Sequence, residues 1–99
     1  MSTLILFSMP NSLTFTCWNE DKPIEIQLEP EAIVFSVLPG NELTFTGRTP
    51  LDDNFKWAIR IEHLGEGIQL MPDVTGSYEI EIFENGILLE DWYKHMRPL

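Results

Sequence analysis

Cations, cysteines and long apolar runs are all scarce in this chain, and each shortage closes off a class of protein. Six Lys and Arg stand against sixteen Asp and Glu, for a formal net charge of −10 at pH 7. Binding to nucleic acid depends on cations that displace the counterions of phosphate, and anionic membranes attract basic segments, so neither is the expected partner. A single cysteine, Cys17, leaves no intramolecular disulfide and no cysteine zinc cluster to be formed. The opening "MSTLILFSMP" has no positively charged leader and only a short apolar run, and no stretch approaches the length of a transmembrane helix, which makes the cytoplasm the expected location.

Motifs of catalysis are missing as well. The sequence has no phosphate-cradling Gly-rich loop, no nucleophile elbow and no HExxH helix. Its two histidines, His63 and His95, have no second His at metal-ligand spacing, and neither "LDDN" nor the Glu79, Glu81, Glu90 group follows the ordered spacing of a calcium loop. Cys17 would need one of the histidines beside it to act as a nucleophile, yet alternation puts it in line with Leu13 and Phe15, inside the fold, where a thiol is inert. The expectation is a protein that is not an enzyme and that needs no metal or cofactor.

What is present describes a folded β domain. With 99 residues the chain is one domain in length, long enough to bury roughly two-thirds of its surface around a single core. Apolar residues make up 43%, with three Trp, two Tyr and six Phe, too many for a disordered chain despite the charge. Alternation with a period of two recurs from end to end, and no long window holds a helical stripe. Candidate strands are Leu4 to Ser8, Leu13 to Trp18, Ile24 to Leu28, Ala32 to Leu38, Glu42 to Gly47, Phe55 to His63, Gly67 to Met71, Tyr78 to Phe83 and Ile87 to Trp92, separated by segments rich in Pro, Gly, Asn and Asp. Most have one apolar and one polar side, whereas "AIVFSVL" is apolar on both and reads as a central strand covered twice.

Strands of this number and length predict an all-β fold, a two-sheet antiparallel β-sandwich filling residues 1–99, with a small β-barrel as the alternative. "PNSLTFTC" and "PGNELTFTG" echo one another, through a duplicated hairpin or through the small alphabet of strand-rich chains. In "FKWAIRI", Trp57 lies on an inward stripe with Phe55, Ile59 and Ile61, continued by His63 at the edge of the core. "DVTGSYEIEIF" sets Tyr78 at the start of a strand shortly after an Asp and a Gly. Over Glu42 to Trp92 these two features resemble the core Trp and the tyrosine corner of an immunoglobulin-like sandwich. The cysteine positions of that pattern are filled otherwise and the Asp-to-Tyr spacing is one residue longer, so the resemblance concerns fold and implies no function.

The segment "YEIEIFENGILLEDWY" carries the most specific information. Asn85-Gly86 supplies the two positive-φ residues of a type I′ turn, and the turn sets the register: Glu84 faces Ile87, Phe83 faces Leu88, Ile82 faces Leu89, Glu81 faces Glu90 and Glu79 faces Trp92. Tyr78, Ile80, Ile82, Ile87 and Leu89 then form a core side. Glu79, Glu81, Phe83, Leu88, Glu90 and Trp92 form the outer side, with Asp91 out of step at a strand end or bulge.

Glu81 across from Glu90 is a like-charge pair that costs a few tenths to roughly 1 kcal/mol. Lys56 and Arg60 can offset it if the strand Phe55 to His63 lies alongside. They cannot offset all of it, because no Lys or Arg occurs between Arg60 and Lys94 while Glu62, Glu66, Asp73, Glu79, Glu81, Glu84, Glu90 and Asp91 do. An apolar patch with an acidic rim suits a basic protein partner, with Trp92 as its anchor. The expected function is therefore that of a small acidic protein-binding domain, in the manner of an inhibitor or immunity protein of a basic enzyme. Two other readings stay open: a structural module that pairs with its own copy as a homodimer, and a carbohydrate or small-ligand module in which Trp18 or Trp92 stacks on an apolar ring.

Overall fold

The computed structural model describes residues 11–50, 55–61 and 67–92. Eight strands follow one another: β1 Asn11–Thr16, β2 Ile24–Leu28, β3 Ile33–Val37, β4 Glu42–Arg48, β5 Trp57–Ile61, β6 Ile68–Pro72, β7 Glu79–Glu84 and β8 Ile87–Leu88. They build two four-stranded sheets that pack as a β-sandwich, ordered β1-β4-β7-β8 and β3-β2-β6-β5, and no barrel closes. The strand expected at Leu4 to Ser8, the "LDDN" segment, His63, the first three residues of "LGEG" and the end from Tyr93 lie outside the described residues.

Between the sheets the apolar stripes interlock. Ile26, Leu28, Phe35, Val37, Leu43, Phe45, Leu70 and Ile82 are buried there together with Cys17. Phe45 of β4 links both layers, standing edge-to-face with Phe15, Phe35 and Trp57 at centroid distances of 5.8, 5.4 and 6.5 Å. The chain of rings continues from Trp57 to Phe55 at 4.7 Å and from Phe55 to Tyr78 at 6.2 Å. Edge-to-face contacts set the positive edge of one ring against the negative face of the next, each adding about 0.5–1.5 kcal/mol beyond area burial.

The internal echo has a concrete place in this architecture. Its two copies are β1 and β4, paired antiparallel with Leu13 opposite Phe45, Thr14 opposite Thr44 and Phe15 opposite Leu43. One Leu-Thr-Phe unit therefore meets the other around a local twofold axis, apolar side chains inward. The hydroxyls meet outside, Thr14 to Thr44 and Ser12 to Thr46, each at 2.8 Å.

Three expectations are corrected. Among the described residues β3 is an edge strand: Ile33, Phe35 and Val37 are buried, while Val34 and Ser36 are only partly covered. The sandwich is not wholly antiparallel, since β2 and β6 run parallel with Ile26, Gln27 and Leu28 opposite Ile68, Gln69 and Leu70. Tyr78 stands just before β7 with its hydroxyl beside the carboxylate of Glu31. Burial, and then that carboxylate, raise its pKa. The inward stripe of β5 holds only at its start, with Phe55 buried and Trp57 half-buried, whereas Ile59 and Ile61 run past the facing sheet into solvent.

Candidate functional site

The last hairpin is built as its turn residues dictate. Asn85 and Gly86 have φ of 52° and 83°, Glu84 pairs with Ile87, Phe83 pairs with Leu88, and the Leu89 N–H donates to the Ile82 carbonyl at 2.8 Å. Asn85 does more than turn the chain. Its Oδ1 accepts the Glu42 N–H at 2.9 Å and its Nδ2 donates to Asn41 Oδ1 at 3.1 Å, which ties the hairpin tip to β4. The sequence offered a signal for this second role only in that Asn, and not Gly, occupies the first turn position.

β8 ends at Leu88, so the expected pairings of Glu81 with Glu90 and of Glu79 with Trp92 do not form. Trp92 corrects the expected binding face. It packs against the core with its ring edge-to-face on Phe35 at 6.1 Å, and so is not an outward anchor. The physical cause is local: once the chain leaves β7, the apolar floor offered by Phe35 draws the indole inward. Of the two tryptophans considered for ring stacking, Trp18 is the more accessible, at 68% exposure, while Trp92 is partly buried.

The remaining predicted residues separate into two groups on sheet β1-β4-β7-β8. Glu79 and Glu81 lie along the outer side of β7 opposite Arg48 and Thr46 of β4. Arg48 Nη2 contacts Glu81 Oε1 at 3.2 Å, a half-exposed ion pair of small energetic weight. Arg48, and not Lys56 or Arg60, is thus the cation beside these carboxylates, because β7 neighbours β4 while β5 belongs to the opposite sheet. Arg60 instead donates to Gln69 Oε1 at 2.8 Å.

The second group is at the hairpin edge, where Phe83 and Leu88 face one another across the strands and Glu90 follows. There an open concavity of about 560 Å³ is lined by Ile87, Leu88 and Leu89 with Glu84, Glu90 and Asp91. Ile87, expected in the core, is 72% exposed and Leu88 is 41% exposed. Alternation does point Ile87 to the core side, but it stands at the very end of the sheet, where end position overrides direction. Glu84 and Asp91 were visible in the sequence as surplus acid, while their joint placement with Ile87 depends on the chain's path beyond Leu88.

Other candidate chemistry finds no support among the described residues. No three His, Cys, Asp or Glu side chains gather where a metal could sit. The Cys17 thiol is enclosed and donates to the Lys22 carbonyl at 3.3 Å. Its burial, and then the Asp21 carboxylate, push its pKa up and keep it protonated, the unreactive form. No described helix is long and apolar enough to cross a membrane. No protein-family model, no curated protein and no solved structure matches the chain.

Proposed function

We propose that this chain is a small, non-enzymatic protein-binding domain that holds a basic partner at the edge of its last hairpin, in the manner of an inhibitor or immunity protein of a basic enzyme. The observation that carries the reading is the concavity beside β8, where exposed Ile87 and Leu88 share one lining with Glu84, Glu90 and Asp91. Apolar contact supplies affinity there, and the carboxylates speed encounter with positive surfaces while repelling acidic ones. A free, buried Cys17 suits the reducing cytoplasm.

Affinity capture from native lysate at low and high salt, with mass-spectrometric identification, tests this reading. Basic proteins are expected at low salt and should be lost both at high salt and with the triple variant Glu84→Gln, Glu90→Gln, Asp91→Asn. Replacing Glu79 and Glu81 by Gln should have the smaller effect, because they stand away from the concavity. Capture that ignores both salt and the triple variant would discard the proposal.

A further inference from the structure

Resting on that reading, we infer that the partner enters as an added β-strand: an extended segment alternating basic and branched apolar residues pairs with the free edge of β8. The hairpin register decides which main-chain groups are available. Glu84 and Ile87 flank the two-residue turn and pair with one another, and the Leu89 N–H is spent on Ile82. Strand alternation then turns the N–H and C=O of Leu88 away from β7, toward the side where β8 is the last strand of its sheet among the described residues. The concavity runs along this same edge, from Glu84 and Ile87 to Asp91.

Charge selects the occupant. Open edges invite any strand, and proteins guard them with short length and charge. β8 has both guards, two residues of pairing and three flanking carboxylates. A second copy of this edge would bring like charges together, and a neutral segment would offer Glu90 no opposite charge. In a segment with Lys or Arg at alternate positions the cations share one face and meet Glu90 on the outer side, while the intervening branched side chains share the other and cover Ile87 on the core side.

The probe is an acetylated, amidated heptapeptide of alternating Lys and Val, followed by NMR amide exchange in the intact protein. Saturating peptide is expected to slow exchange of the Leu88 amide by about tenfold or more, the scale of a main-chain bond gained at an exposed edge. The Glu-Val counterpart should leave it unchanged, as should a Lys-Val peptide N-methylated at alternate residues to remove its pairing donors. Leu88→Pro, which deletes an N–H unused within the hairpin, should weaken Lys-Val binding by about tenfold or more. Should that variant misfold, the N-methylated peptide makes the same test on the unaltered chain. Equal binding of the methylated and unmethylated peptides would overturn strand addition while leaving acidic docking intact. No binding of the Lys-Val peptide beside undiminished, salt-sensitive lysate capture would likewise overturn this inference alone.

Discussion

Among the described residues β5 and β8 are both edge strands with exposed branched side chains, Ile59 and Ile61 on one, Ile87 and Leu88 on the other, yet their settings differ. β5 is knitted to the opposite sheet at its start. The Trp57 Nε1–H donates to the Asn11 carbonyl at 3.0 Å, the Asn11 Nδ2 donates to the Phe55 carbonyl at 3.3 Å, and the Phe55 ring fills the space above Gly47. All five of its residues pair with β6. Its exposed isoleucines continue a stripe whose first members are already used in the core. β8 pairs over two residues only, and its apolar side chains share a concavity with carboxylates. Exposure alone does not mark a docking surface, and what accompanies it decides.

The firmest way to break this contrast is at Gly47. A Cβ there would lie 2.2–2.6 Å from three atoms of the Phe55 ring, so Gly47→Ala must displace that ring. The expected loss approaches that of removing a buried Phe, about 3–5 kcal/mol by denaturant unfolding. Combining Gly47→Ala with Phe55→Leu should cost less than the two changes summed. A Gly47→Ala protein with parental stability would show that the β5 side is not closed by this contact.

Trp92→Ala comes next, with an expected loss of about 2–3 kcal/mol, below the range for full burial because the indole is half-covered. A change under about 0.5 kcal/mol, with weakened partner capture, would restore Trp92 to the outer face.

The smallest effect on stability belongs to Ile87→Ser, expected within about 0.5 kcal/mol because the side chain already meets water. The same change should lower affinity for the Lys-Val peptide several-fold, measured by titration. Unchanged affinity would remove Ile87 from the site and leave the two edges alike.

Local features of this fold were legible in the sequence, and non-local ones were not. Ile24–Leu28 stands where strict alternation put it, and Asn85-Gly86 fixed the pairing of Glu84 with Ile87 and Phe83 with Leu88. Both are properties of a few adjacent residues. Which strand lies beside β7 depends on how segments far apart in the chain share one core, and alternation says nothing about that. Hence Arg48, and not Lys56 or Arg60, meets Glu81. β3 shows the same limit, since an apolar strand reads as central while its seat at an edge follows from its neighbours. For the site, the residue types were legible. Their division into the Glu79 and Glu81 group and the β8 concavity was not, because it arises where Trp92 leaves the alternation to meet Phe35.

That departure of Trp92 also equips the molecule with an optical reporter. Its indole follows Asp91, at the lip of the concavity, and rests on the interior through Phe35. Trp18 is surrounded by solvent, so its emission should lie at longer wavelength and be quenched readily by iodide. With Trp57→Phe and Trp18→Phe in place, the remaining fluorophore would register occupancy of the neighbouring edge and loss of the folded interior as separable spectral changes.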